Sequence, residues 1–311
     1  MKKLLLLLII PLLSFGQSYN GPESVEYNPL TGNYFIANSS NGQILELDMN
    51  NDLSLFANNL GSGPHGLEII NDILYVCSGG RLKGYETNTG DQVLNYNLNG
   101  SFLNGITQMK YFNTGEVDLF ITDFSAKKLY RYSIEENSHY EICSFSKNPN
   151  GTYYDSMNDR LLVVCWGNNA PIYEIDLINE TYSTIINTGL GNLDGISMDQ
   201  CGNFYISAWS SNAIHKYNFD FSETEIVMSN LSSPADIYYN QFDNILAVPS
   251  SGNNTVEFVF YACDNSAIQE NPTTKHLIKT IDILGRETTN NKGFNIKLYD
   301  DGSVEKKYLI K

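Results

Sequence analysis

One position in a recurring turn carries most of the side chains that could do chemistry in this chain. The turn is related to Pro-x-Gly-hydrophobic and occurs six times, and its x residues are Glu23, His65, Asn104, Asn150, Asp194 and Ala235. Two carboxylates and two amides are hard oxygen donors, the ligands that Ca²⁺ and similar cations prefer. Two acids would nearly neutralise a divalent cation, and without one they would repel each other. Asn and Asp also suit turns for conformational reasons, so a structural role is the alternative; Glu23, a poor turn residue, fits it least.

The spacing of these turns predicts the fold that positions them. Successive x residues lie 42, 39, 46, 44 and 41 residues apart, and the first unit contains predicted strands at 24–27, 33–38, 43–48 and 53–57. A period of about 40–45 residues with several short strands is typical of a β-propeller. We therefore predict an all-β, six-bladed propeller over residues 17–263. Residues that precede the innermost strands converge on one mouth of the central channel, so the six x residues should form a ring there, which we call the x ring.

Hydrophobic patterns within the units support this architecture. The second strands are nearly continuous apolar runs, predicted at 74–77, 119–122, 161–166, 204–208 and 245–248. Such runs indicate burial on both faces, as expected where blades stack. Third strands alternate instead, as in Ile44-Leu45-Glu46-Leu47, which is typical of one solvated face. The sixth unit offers strands at 236–240, 244–248 and 255–261 but no fourth, so either residues 17–21 form an outer strand or an edge stays open.

Three aromatic or imidazole side chains are predicted at the same mouth. Trp166 and Trp209, the only tryptophans, end the second strands of units four and five, 16 and 15 residues after Asn150 and Asp194. Because a second strand returns to the end where the first began, both rings should lie beside the x ring. There they would form a stacking wall for a sugar-like ligand, with packing between blades as the alternative. His65 would contact substrate or transfer a proton, unless it serves only the turn.

Charge and motif content exclude several classes of function. Residues 20–262 hold 28 Asp and Glu against 9 Lys and Arg, a balance of −19. Nucleic acids need clustered Lys and Arg, so they are disfavoured as partners, whereas cations would be attracted; solubility alone also explains such a charge. The five cysteines show no CxxC spacing and no evident disulfide framework. The sequence has no HExxH, no Gly-x-Ser-x-Gly and no phosphate-binding loop, which argues against zinc proteases, serine hydrolases and nucleotide-binding proteins.

The two ends of the chain differ from the repeat. Residues 1–16 have the pattern of a cleaved signal peptide, in which Lys2 and Lys3 precede an apolar run too short to span a bilayer. No later stretch predicts a transmembrane segment. Residues 264–311 predict three short strands, within 277–286, 293–302 and 305–311, and hence a small β module.

The tail also carries recognisable motifs. Asp-x-Leu-Gly-Arg at 282–286, an Asp-Gly turn at 301–302 and Lys-Lys-x-x-Ile-Lys at 306–311 resemble a shortened sorting domain of type IX secretion substrates in Bacteroidetes. The resemblance implies Sec export, then passage through the type IX machinery and removal of the tail, and hence a secreted or cell-surface protein. An accessory β domain that stays attached is the alternative.

The propeller turns carry a second resemblance. With Glu23 in unit one, Pro149-Asn150-Gly151 in unit four and Leu193-Asp194-Gly195 in unit five, residues 20–262 resemble the gluconolactonase/senescence-marker-protein family. These are six-bladed propellers with a divalent metal in the channel. The resemblance implies that Glu23, Asn150 and Asp194 hold the metal and that Asn104 contacts substrate. The chain departs from the family in that Glu23 lies two residues before Val25 instead of three and no Arg precedes Asn104. NHL-repeat and lyase-type propellers share the turn without this metal.

Two interpretations of function follow. In the first, the protein is a metal-dependent hydrolase of sugar-type lactones: the cation polarises the carbonyl, Asp194 accepts a proton from water, and Asn104 orients substrate. Ca²⁺ suits the oxygen donors best, with Zn²⁺ or Mn²⁺ as alternatives. In the second, the protein is a non-catalytic secreted propeller that binds a glycan, a small ligand or a surface protein. The oxygen donors of the x ring favour the first interpretation, whereas the missing Arg and the short loops favour the second.

Overall fold

The computed structural model describes residues 17–262, 277–281, 286–288, 293–299 and 304–309. The chain divides into two units, Met1–Cys263 and Asp264–Lys311. No helix in the described ranges is long and apolar enough to cross a membrane. The predicted signal peptide at residues 1–16, most of the Asp-x-Leu-Gly-Arg motif and the Asp-Gly turn lie outside the described residues.

The first unit is a propeller of six antiparallel sheets, which confirms the predicted fold class. Blades 1 to 3 consist of β1 (Pro22–Tyr27), β2 (Tyr34–Asn38), β3 (Gln43–Leu47), β4 (Leu53–Ala57), β5 (Leu67–Ile70), β6 (Ile73–Ser78), β7 (Arg81–Glu86), β8 (Gln92–Asn97), β9 (Leu103–Lys110), β10 (Val117–Asp123), β11 (Lys128–Ser133) and β12 (Ser138–Ser144). Blades 4 to 6 consist of β13 (Asn148–Asp155), β14 (Arg160–Trp166), β15 (Pro171–Asp176), β16 (Thr181–Asn187), β17 (Leu193–Met198), β18 (Phe204–Ala208), β19 (Ala213–Tyr217), β20 (Thr224–Met228), β21 (Tyr238–Asn240), β22 (Ile245–Ser250) and β23 (Thr255–Phe260). First strands of neighbouring blades contact one another around the channel.

The hydrophobic core lies between neighbouring blades. The second strands β6, β10, β14, β18 and β22 are buried along nearly their whole length, as their apolar runs predict. One cluster joins Val164 and Ile172 of blade 4 to Ile196 and Phe204 of blade 5. The third strands are half-solvated as predicted, since Glu46 breaks the buried run of β3. Burial of both faces of each second strand therefore fixes the stacking of the blades.

The ring closes between blades 6 and 1 without an outer strand from the N-terminal residues. Residues 17–21 form no strand, so that predicted alternative is wrong, and the described part of blade 6 has three strands. Instead, Gly21 N donates to Asn254 Oδ1 at 2.7 Å. The backbone of Asp236 donates to Glu23 O at 2.8 Å, and Ser24 pairs with Asp236 in a parallel bridge. The propeller ring is therefore closed by contacts between the innermost segments of blades 6 and 1 and by the hydrogen bond from Gly21 to Asn254.

Two further features stand outside the blade pattern. Cys201 is disulfide-bonded, which the sequence analysis did not predict, while Cys77, Cys143 and Cys165 are free thiols. The second unit contains an antiparallel sheet of β24 (Leu277–Ile281), β25 (Gly293–Tyr299) and β26 (Val304–Leu309), as predicted for a small β module.

Candidate functional site

The glycines in the turns of blades 2 to 5 explain how neighbouring x residues come close together. A Cβ on Gly66, Gly105 or Gly151 would collide with the carbonyl oxygen of the next blade's x residue, which is Asn104, Asn150 or Asp194 respectively. The approach is close enough at Gly66 for its N–H to donate to Asn104 O at 2.9 Å. Only a residue without a side chain tolerates such a backbone approach. The glycines therefore place consecutive x residues edge to edge at one mouth of the channel.

The predicted metal ligands bring unpartnered oxygen atoms to this mouth. Glu23, Asn150 and Asp194 are only 8%, 1% and 3% exposed. Within the described residues, Glu23 Oε2, Asn150 Oδ1 and Asp194 Oδ1 have no hydrogen-bond partner although they are buried. Asn150 Nδ2 donates to Leu193 O at 3.1 Å, which fixes the amide so that its oxygen remains available. Buried acceptors without partners are costly in a folded protein, and three of them at the same mouth, on blades 1, 4 and 5, indicate a missing polar or cationic partner.

The carboxyl groups of the x ring are held in an unfavourable electrostatic environment. Burial, and then the charges of Asp194 and Asp236, raise the pKa of Glu23 well above its usual range. Burial and the charge of Asp236 likewise raise the pKa of Asp194, while the side chains of Trp209 and Asn150 act in the opposite direction. No Lys or Arg forms an ion pair with these carboxyls among the described residues. A bound cation would relieve both the burial penalty and the mutual repulsion.

Asp236 is a member of this site that the sequence analysis missed. In blade 6 the x residue is Ala235, but the following position, which is glycine in blades 2 to 5, is Asp236. Ser24 occupies the same position in blade 1, and its Oγ donates to Asp236 Oδ2 at 3.0 Å. Burial raises the pKa of Asp236 to about 7. The blade that seemed to contribute no polar group therefore contributes a third carboxyl, one residue further along.

The remaining polar x residues also lie at the mouth. Asn104 is 5% exposed, and its side-chain amide makes no hydrogen bond with a described residue. His65 is half-buried, its Nδ1 has no partner within the described residues, and its ring packs edge-on against Phe102. Burial lowers the pKa of His65 to about 4, so its imidazole is neutral at physiological pH.

The two tryptophans contact each other as part of a longer aromatic arc. The ring centroids of Trp166 and Trp209 lie 5.0 Å apart, with the planes at 73°. Phe124 contacts Trp166, and Phe102 bridges Phe124 to His65. Phe124, Trp166 and Trp209 follow or end the second strands of blades 3, 4 and 5, so alignment of the repeats would have found Phe124. Ser39, Gly79 and Ser251 occupy the matching position in the other blades. The mouth is therefore aromatic on one side and open on the other.

The residues present fit a cation held by mixed carboxylate and amide oxygens. In the described residues no group of three or more His, Cys, Asp and Glu side chains is arranged to hold a metal ion. Of the three predicted metal ligands, only Glu23 and Asp194 belong to those residue types. The third ligand would be the amide oxygen of Asn150. Such mixed oxygen donors suit Ca²⁺ more than Zn²⁺, which prefers His and Cys.

Comparison with known proteins supports the fold alone. No protein-family model matches the sequence, and no curated protein matches it. An auxiliary nutrient-binding protein from Bacteroides thetaiotaomicron VPI-5482 is similar in structure, with a TM-score of 0.61 at 8% identity over 78% of this chain and 70% of that one. Virginiamycin B lyase from Staphylococcus aureus has a TM-score of 0.54 at 14% identity over 94% of this chain and 96% of that one. A chain of a nidogen/laminin complex has a TM-score of 0.57 at 13% identity over 71% and 91%. One β-propeller architecture thus occurs in a binding protein, a lyase and a protein–protein complex, so the function must be argued from the site.

Proposed function

We propose that this protein is a secreted, metal-dependent hydrolase of sugar-type lactones that acts at the x ring. One observation carries the proposal: three buried oxygen atoms, Glu23 Oε2, Asn150 Oδ1 and Asp194 Oδ1, lack partners. They belong to the three residues that the resemblance to gluconolactonase-type propellers assigns to a metal.

A divalent cation, with Ca²⁺ the best match, would be held by Glu23, Asn150 and Asp194. When bound, such a cation acts as a Lewis acid toward a carbonyl oxygen. The protein contributes the rigidity of this set, because the turn glycines lock neighbouring blades together and Leu193 O holds the Asn150 amide. Preorganised ligands of this kind lose little conformational entropy on binding.

The remaining chemistry falls to side chains around the ring. Asp194 would accept a proton from a water molecule, as the resemblance to gluconolactonase-type propellers implies. The Asn104 amide has no hydrogen bond of its own to a described residue, so it is available to orient a substrate oxygen. Trp166 and Trp209 offer ring edges and faces against which the apolar face of a sugar ring can pack.

A second candidate function is binding without catalysis. The neutral His65 and the aromatic arc suit a glycan or another uncharged ligand, and no Arg lies beside Asn104 in the sequence. A surface protein is another partner of this class. One structurally similar protein is itself described as nutrient-binding. Under this alternative the cation would have a structural role.

Activity assays separate the two functions. The purified protein is incubated with sugar lactones in Ca²⁺, Zn²⁺ or Mn²⁺, beside Asp194→Ala and a control, Glu174→Gln, on the half-solvated third strand of blade 4. Hydrolysis that requires metal and is lost in Asp194→Ala, but not in Glu174→Gln, supports the hydrolase. Metal binding without turnover favours the binding protein, and absence of both contradicts the hydrolase.

We further propose that residues 1–16 direct export and that the tail, residues 264–311, is a type IX sorting domain. The support is the signal-peptide pattern and the tail motifs, together with the small sheet in the second unit. Deletion of residues 271–311 should retain the propeller in the cell that makes it. Unchanged secretion of the deletion variant in a type IX-competent host would contradict the sorting role.

A further inference from the structure

A second ring of polar side chains lines the channel three residues beyond the x ring. It consists of Glu26, Glu68, Thr107, Tyr153, Ser197 and Tyr238, each at position x+3 of its blade. All six border one cavity of about 890 Å³ toward the far end of the innermost strands. We call this set the second ring. The proposed lactone hydrolysis uses none of these residues, because the residues proposed to hold the metal lie at the beginning of the same strands.

Structural ties between blades do not explain the acids of the second ring. Thr107 Oγ1 accepts from Tyr154 N at 3.2 Å, and Ser197 Oγ accepts from Tyr239 N at 2.9 Å. Glu26 Oε1 occupies the equivalent position toward Ile69 N, but at 3.4 Å. The hydroxyl groups of Thr107 and Ser197 therefore make a shorter hydrogen bond to the next blade than the Glu26 carboxylate does. A contact between blades does not explain why residue 26 is an acid.

Glu26 is buried and Glu68 half-buried in the wall of the cavity, which Asp236 also lines, and none of the three forms an ion pair among the described residues. Glu26 is 7% exposed, and its second carboxylate oxygen has no hydrogen bond to a described residue. Glu68 Oε1 accepts from Gln108 Nε2 at 2.7 Å. Burial and then the charge of Glu68 raise the pKa of Glu26 well above its usual range, and burial raises the pKa of Glu68 to about 8. Lys110, at the cavity rim, is exposed and forms an ion pair with neither acid. Buried carboxylates without a counter-charge are destabilising.

The cavity is shaped for an organic cation more than for a metal ion. A volume of about 890 Å³ is within the usual range for small-molecule sites. Tyr153, on blade 4, lies across the ring from Glu26, and Tyr238, on blade 6, lies beside it; with Tyr154 they add aromatic surface to the wall. Aromatic faces attract ammonium groups, and carboxylates neutralise them. Two carboxyl groups in the wall of so wide a cavity would leave most of the coordination shell of a metal ion to water.

We propose that the second ring binds a small organic cation, namely an amine with an apolar body whose ammonium group lies between Glu26 and Glu68. The apolar body would pack on Tyr153 and Tyr238. This site does not rest on the lactone hydrolase proposal, since it uses none of Glu23, Asn104, Asn150 and Asp194, although Asp236 borders both sites.

Calorimetric titration tests the site with defined probes. The unmodified protein is titrated near neutral pH with 2-phenylethylammonium and benzyltrimethylammonium, and with 2-phenylethanol as the uncharged match. We expect both cations to bind at least tenfold more tightly than the alcohol. Equal affinity for amine and alcohol, or no binding of either cation, would overturn the proposal without recourse to any variant.

Variants then locate the site. Glu26→Gln and Glu68→Gln should each weaken amine binding at least tenfold, whereas Glu174→Gln on the outer face of blade 4 should not change it. Asp194→Ala should retain amine binding, which separates this site from the x ring. In the ligand-free protein, Glu68→Gln should raise the thermal midpoint above pH 8, because it removes a carboxyl group whose ionisation the folded protein opposes. Amine affinity that is unchanged in both folded variants would place the ligand elsewhere and refute the assignment.

Discussion

The two ends of the channel are built from the same strands but differ in how their acids are partnered. At the x ring, Glu23 and Asp194 lie on blades 1 and 5 and each has a buried oxygen without a partner. At the second ring, Glu26 and Glu68 lie on adjacent blades, and each accepts at least one hydrogen bond from the next blade. We expect the first arrangement to favour a metal ion. The second is an acidic wall on two adjacent blades with tyrosines on blades 4 and 6, and we expect it to favour a larger organic cation.

In this repeat, the fold sets where a side chain lies in the channel, and the residue type in each blade sets what that side chain can bind. The strands repeat closely, so every blade delivers its x and x+3 side chains to the same two levels of the channel. Which blades carry acids at each level then decides the kind of ligand. Between the two levels lie the turn glycines, replaced only by Ser24 and Asp236 where the ring closes.

The largest effect is expected from a methyl group placed between neighbouring blades. Gly151→Ala should lower the free energy of unfolding by about 3 kcal/mol, because its Cβ would meet Asp194 O and Gly195 Cα. Gly115→Ala is the matched control: it has a positive φ but open space, so it should cost only about 1 kcal/mol. Chemical denaturation measures both. Equal losses would show that backbone conformation, not the close approach of the blades, requires the glycine.

The pH dependence of protein stability, an effect of intermediate size, should distinguish the buried acids of both rings from surface acids. A carboxyl with a higher pKa in the folded than in the unfolded protein stabilises the fold below its unfolded pKa of about 4. This contribution is lost as the pH rises through the folded pKa, which is about 7 for Asp236 and about 8 for Glu68.

Metal-free protein should therefore lose at least about 2 kcal/mol of stability between pH 5 and pH 8.5. Glu68→Gln should flatten part of this profile, and thermal unfolding at several pH values measures it. A profile that rises with pH would contradict the assigned direction of the pKa shifts.

The smallest effect concerns the aromatic side of the mouth. Trp209→Ala should raise the dissociation constant or KM for a sugar-type ligand about tenfold through lost ring contact. Phe260→Ala, on the exposed outer strand of blade 6, should leave it unchanged. Binding assays or initial-rate measurements on both variants test this prediction. If Trp209→Ala binds normally, the tryptophans serve packing between the blades.

The sequence predicted the scaffold well because its signals are local and repeated. Apolar runs located β14 and β18 to within a residue, and the turn motif located five of the polar groups at the mouth. The turn motif does not reveal Asp236, because this residue stands at the position that is glycine in blades 2 to 5. The second ring was missed because alternating residues of an innermost strand reveal no function until the channel is assembled. The contact between Gly21 and Asn254, 233 residues apart, has no local signal at all.

Calcium titration of the purified protein tests the central claim, that the x ring holds a cation. Calorimetry should show one Ca²⁺ site in the unmodified protein, and Asp194→Asn should weaken it by about 100-fold. Glu68→Gln, at the second ring, should leave the affinity within about twofold, because that acid faces the other level of the channel. Unchanged Ca²⁺ affinity in Asp194→Asn, or a loss in Glu68→Gln alone, would contradict the account.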